Sequence, residues 1–215
     1  VACDIWLVPL VDVLVHSPEN PFAEDLAIYN ASLGAHGLPP VPVFQYMPGL
    51  SGDVEPVAAF DYESLHFLRR AYLLQLTNLP VTPVDELGGD YEQLLEMFED
   101  TAERSHLVWH FDHAGAYVPI DFETPIVDDA LLATGGPLGS LHGLLRELEA
   151  VAPWIGIDHQ APPVPVRPVA PTTLEGPAHP PPGNDGPFSR ERHAWTGLHA
   201  AAVRALGQGS MVVFA

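Results

Sequence analysis

At 215 residues and 47% hydrophobic, the chain can bury the core of one large domain, and its periodic segments run nearly end to end without a place for a second domain to start. Its 28 acidic residues face 8 basic ones, all arginine, for a formal charge of -20, and the absence of lysine excludes Schiff-base and Walker-type phosphate chemistry. The single cysteine, Cys3, excludes an internal disulfide and Cys-pair metal motifs, and the excess of acid argues against direct nucleic-acid binding, which needs clustered cations to release condensed counterions.

In chain order, VACDIWLVPLVDVLVH is apolar but is interrupted by Asp4 and Asp12, with no basic stretch before it and no small-residue cleavage site after it. It reads as a mostly buried strand over residues 3–15, with Pro9 at a bulge or edge and Cys3 an inert core thiol. No other apolar stretch approaches the ~20 residues of a membrane span, so a soluble cytoplasmic protein without membrane contact is expected. In NPFAEDLAIYNASLGAHG, Asn20 can cap a helix that Pro21 begins, with Phe22, Leu26, Tyr29 and Leu33 on one face and Gly34 or Gly37 at its end. LPPVPVFQYMPG is too proline-dense for a central strand and reads as an extended surface segment or short edge strand.

DYESLHFLRRAYLLQLTNLP predicts the best-buried helix, capped by Asp61, striped by Leu65, Leu68, Tyr72 and Leu76, and stopped at Asn78 before Pro80. Residues 90–105, DYEQLLEMFEDTAERS, predict a second such helix with Tyr91, Leu94, Leu95, Phe98 and Ala102 inward. Its outer face is nearly all carboxylate: Glu92, Glu96, Glu99 and Glu103 follow i, i+4, i+7, i+11, and only Asp100 with Arg104 offers a compensating pair.

HLVWHFDHAGAYVPIDF holds three of the eleven histidines. Read as a hairpin with strands 106–111 and 116–120, it places His106, Val108 and His110 on one face and Leu107, Trp109 and Phe111 on the other. Asp112 can accept local backbone hydrogen bonds, and Gly115 supplies a positive φ, so DHAG makes a loop without any ligand. The alternative is a divalent metal such as zinc on His106, His110 and Asp112, with His113 across the turn, although the spacing matches no specific metal motif.

TGGPLGSLHG puts glycines before a helix start, an arrangement that can cradle an anion, but without a Walker pattern it reads as a capping loop with Ser140 as N-cap of a helix from about Leu141 to Val151. Residues 158–188 hold ten prolines and predict an extended surface segment. Ser189 can cap a helix to about Leu206 with Trp195, Leu198 and Ala202 on one face. SMVVFA closes as a strand, which must pair, and the N-terminal strand or its neighbour is the expected partner.

His110, Asp112, Gly115, Tyr117, Pro119, Asp121 and Phe122, then Gly139 and Ser140 before Leu-Leu-x-Glu-Leu, then Pro187-Phe188, Glu191-Arg192-x-Ala194-Trp195 and Val-Val-Phe, form a pattern that resembles an uncharacterised family of bacterial proteins over about residues 105–215. The resemblance implies a single small α/β domain and no established activity. The chain departs from it at Ala114, where that pattern carries a second acid in the turn.

The expected fold is a single α+β domain over residues 1–215: a mixed sheet containing the N- and C-terminal strands, four or five helices, and the proline-rich segment on its surface. The expected function is a non-catalytic acidic interaction module of the immunity or inhibitor kind, without a cofactor, that presents Glu92, Glu96, Glu99 and Glu103 to a basic protein partner. The alternatives are a metal-dependent hydrolase centred on His106, His110 and Asp112, and a small-ligand or structural module.

Overall fold

The computed structural model describes residues 2–10, 23–43, 55–87, 90–112, 114–158 and 186–214. Five strands form one mixed sheet: β1 (Ala2–Pro9), β2 (Glu55–Asp61), β3 (Ala116–Val118), β4 (Leu138–Ser140) and β5 (Ser210–Phe214), in the order β2-β1-β5-β3-β4. Only β3 and β4 run parallel. The helices are α1 (Ala23–Ala35), α2 (Tyr62–Leu76), α3 (Asp90–Met97), α4 (Glu99–Ala102), α5 (Asp129–Thr134), α6 (Leu141–Val151), followed by a 3-10 turn (Ala152–Ile155), and α7 (Ser189–Gln208). Among the described residues there are thus seven α-helices rather than four or five.

Both faces of the sheet are covered, so its strands read as continuous apolar runs rather than as alternating ones. Ile5, Leu7, Tyr117, Val212 and Phe214 face a core completed by Leu65 and Leu68 of α2, Leu144 and Leu148 of α6, and Leu198 of α7. Their neighbours Val8, Ala116, Val118, Met211 and Val213 face a second core with Leu26, Tyr29 and Leu33 of α1 and Leu131 of α5. The closing strand is buried along its whole length and pairs antiparallel with β1 from Ile5↔Phe214 to Pro9↔Ser210, so the two terminal strands meet at the centre of the sheet as expected.

Local chemistry explains the helix boundaries. The Asp61 carboxylate accepts from the Ser64 amide at 2.6 Å and caps α2. Past its end, Asn78 takes a left-handed φ of 58°, which Asn tolerates better than most residues. Leu65, Leu68 and Tyr72 are buried, whereas Leu76 is partly exposed. Ser140 caps α6 by accepting from the Gly143 amide at 3.0 Å. Ser189 is the first residue of α7 rather than its cap: Phe188 holds the cap position without a side-chain bond. Trp195 Nε1 donates to the Leu148 carbonyl at 2.7 Å and fastens α7 to α6.

Two expectations require correction. Residues 106–111 are not a strand, and no hairpin joins them to β3, which pairs with β4 and β5 instead. The segment 105–110 coils into turns, with the Trp109 amide reaching the Ser105 carbonyl four residues back. The helix over 90–105 breaks at Phe98 (φ -122°, ψ 33°) into α3 and α4. β2, β4 and α5 carry no signal strong enough to be read from the sequence. Residues 11–15 of the expected first strand, Asn20, Pro21 and Phe22 of the α1 start, residues 44–49, and 159–185 of the proline-rich segment lie outside the described residues; so does the side chain of Cys3.

Candidate functional site

From residue 71 to residue 103 the sequence contains no Arg, Lys or His, and it places eight acids there. Asp90 is committed: its carboxylate receives Nε of the buried Arg70 at 2.9 Å, and Arg70 also donates to the Thr82 carbonyl, which anchors the start of α3 to α2. Glu92, Glu96, Glu99, Asp100 and Glu103 are all exposed. The break at Phe98 means that they do not follow one continuous helical line. They form two i, i+4 pairs, Glu92 with Glu96 and Glu99 with Glu103, on successive short helices. Tyr91 and Ala102 bury the opposite side, which keeps this acidic ridge facing solvent.

The ridge leads directly into the segment 105–112, which a partly buried glutamate and a buried arginine hold. At its start, Glu147 of α6 accepts from the His106 amide (2.9 Å), the Leu107 amide (2.6 Å) and the Ser105 hydroxyl (2.9 Å). At its end, Arg69 of α2 donates to the carbonyls of Leu107 (2.8 Å) and His110 and to the Asp112 carboxylate, which His66 also engages. A carboxylate at the amide end and a guanidinium at the carbonyl end match the polarity of a helical turn. Burial pushes Glu147 up to about 7 against the effect of its hydrogen bonds. Although burial opposes ionisation of Asp112, the hydrogen bond from His66 and the Arg69 charge hold it down at about 2.

The histidines sit inside this frame. His106 is buried, with Nε2 against the Phe122 carbonyl (3.1 Å) and Nδ1 accepting from the Ser140 amide (3.2 Å). His110 is buried and stacked on Tyr117 at 4.1 Å between centroids, with Nδ1 at the Phe111 carbonyl (3.0 Å). Burial pushes them down to about 4 and about 3, so both are neutral at pH 7. Both nitrogens of His106 and both oxygens of Asp112 meet separate partners, whereas Nε2 of His110 is buried without a hydrogen-bond partner. Among the described residues no group of three or more His, Cys, Asp or Glu side chains is arranged to hold a metal ion, and His113 lies outside them.

Gly143 has a local reason here rather than a role in anion binding. A Cβ at this position would run into the ring of His106, which its two hydrogen bonds hold in place. Gly143→Ala is therefore expected to lower unfolding free energy by about 1–3 kcal/mol, the usual range for overpacking, as read by urea denaturation. The amides of Ser140 and Gly143 are already taken by His106 and Ser140, which leaves the loop as the capping structure expected.

A pH profile follows from the same groups. An unfolded histidine takes up its proton near pH 6.5, whereas His106 and His110 in the fold do so only near 4 and 3, so their contribution is full above pH 6.5 and is lost as pH falls through those values. At ~1.4 kcal/mol per pKa unit, they are worth on the order of 3 to 5 kcal/mol each, His110 the more. Glu147 works oppositely: its contribution is full below its unfolded value of 4.5 and is lost as pH rises through about 7. Two histidines outweigh one glutamate below pH 6.5, so the melting temperature is expected to peak near that pH. His110→Phe, which keeps a ring on Tyr117, should flatten the acid limb; an unchanged limb would show that His110 titrates normally.

None of the described helices is long and apolar enough to cross a membrane. A family model described as "Putative DNA-mimic protein" matches residues 1–214, and the chain belongs to that family. The match includes the acidic first half as well as residues 105–214. No curated protein and no solved structure matches the chain.

Proposed function

We propose that this member of the DNA-mimic family is a non-catalytic protein that presents side-chain carboxylates where DNA would present phosphates, and so occupies the DNA-binding surface of a basic protein. The observation that supports the reading is the exposed ridge of Glu92, Glu96, Glu99, Asp100 and Glu103 in a stretch of sequence without a cation. Within each helical turn the paired glutamates stand four residues, about 6 Å along the axis, apart at ~1.5 Å per residue, so the ridge presents closely spaced anionic groups as a DNA strand does. Cationic side chains that meet a phosphate backbone would find a row of carboxylates here, and electrostatic steering would speed the encounter.

Competition with DNA tests the reading. The full chain, immobilised, is expected to retain a DNA-binding protein from lysate of its host, to release it as salt rises, and to release it to added duplex DNA irrespective of sequence. A captured protein that binds duplex DNA and this chain simultaneously would contradict it, because a mimic and its model cannot share one surface.

A further inference from the structure

We infer that a groove beside the ridge, between α3 and the segment 105–112, seats one arginine side chain of the partner; this rests on the DNA-mimic reading and adds a point of specificity to it. The groove is lined from α3 by Tyr91, Glu92 and Leu95 and from the segment 105–112 by Trp109, Phe111 and Asp112. Glu92 belongs to both the ridge and the groove, so a protein docked on the carboxylates lies over the groove mouth. Phe111 is 40% exposed and Trp109 is half-buried, so aromatic surface meets solvent here amid charge.

The chemistry selects the occupant. An apolar side chain would fill the groove but strip water from Glu92 without pairing it. An anion would be repelled by the ridge. A guanidinium satisfies both demands, because it is planar, weakly hydrated, stacks on aromatic faces and pairs with carboxylate, whereas a lysine ammonium is strongly hydrated and gains less from the rings. The Arg69 charge in the groove floor is offset by its ion pair with Asp112, which leaves Glu92 to set the sign of charge at the mouth. That frame also fixes the backbone carrying Trp109 and Phe111, so the walls are formed before a partner arrives. Once a docked partner covers the groove, an arginine between the aromatic walls and the charged rim sits where that residue contributes most to an interface.

Octa-arginine and octa-lysine peptides, titrated against the full chain at physiological ionic strength, separate the ridge from the groove. The wild type is expected to bind octa-arginine about threefold to tenfold more tightly than octa-lysine, the range a stacked guanidinium supports. Trp109→Leu and Phe111→Leu should each abolish that preference while leaving octa-lysine affinity unchanged. Phe111 is the more exposed of the two and carries the test if the Trp109 variant loses its circular dichroism spectrum. Equal affinity of the wild type for the two peptides, or a preference that survives both substitutions, overturns the groove and leaves the ridge standing. Binding of neither peptide overturns the groove and the DNA-mimic reading together.

Discussion

Arg69→Met is expected to lower the melting temperature by roughly 10 °C, corresponding to about 3–5 kcal/mol lost when one partner of a buried ionic network is removed from a domain of this size. Arg69 is almost fully buried and meets three acceptors at once: the Asp112 carboxylate and the carbonyls of Leu107 and His110. Methionine fills much of the volume but leaves all three acceptors without their donor, and a buried acceptor without a donor forfeits its hydration for nothing in return. Adding Asp112→Leu should recover part of the loss, because it removes the charge left unpaired. Near-ultraviolet circular dichroism should change with the first substitution, since Trp109 lies on the segment that Arg69 holds. A loss below about 1 kcal/mol would mean that the network is worth no more than an exposed ion pair, and the account of the segment 105–112 would have to be abandoned.

Arg69 is also the residue of this network most open to detection in the sequence. Leu65, Leu68 and Tyr72 define the buried stripe of α2, and Arg69 stands four residues after Leu65 on that stripe, in a chain with only 8 basic residues. A scarce cation on a buried helical face requires an acid or carbonyls to meet it. Glu147 gives the same signal between Leu144 and Leu148 of α6. The pairing of the two terminal strands was legible because both are runs of large apolar residues. The 3-residue strands β3 and β4 were not, since three residues cannot display a period. The segment 106–111 displays a false one: its alternation suggests a half-exposed strand, but His106, Leu107, Val108 and His110 are all buried. What decides its shape is the distant pair Glu147 and Arg69, and no local pattern encodes their arrival. The exposure of the ridge was legible because burying so many unpaired carboxylates is prohibitive. The break at Phe98 left no mark in the spacing of the glutamates.

Replacing Glu92, Glu96, Glu99 and Glu103 with glutamine should move stability and binding in opposite directions. The two i, i+4 pairs repel one another, and relieving each is worth a few tenths of a kcal/mol, so the variant should melt slightly higher at low salt, with the gain shrinking as salt screens the charges over about 10 Å. Binding to a basic DNA-binding partner should fall about a hundredfold near physiological salt, taking ~0.7 kcal/mol for each exposed pair lost. The dependence of log affinity on log salt should also become shallower, because fewer charge pairs form at the interface and fewer counterions are released. Glutamine keeps the length and the helix propensity of glutamate, so a change in affinity without a loss of helical signal isolates the charge. The same four substitutions should leave the pH optimum of stability in place, since that optimum belongs to His106, His110 and Glu147 in the interior. A ridge selected for solubility alone would give the same rise in melting temperature and no change in partner affinity. The joint measurement therefore distinguishes a charged face that merely faces water from one that stands in for phosphates, and an affinity unchanged by all four substitutions would remove these glutamates from the interface.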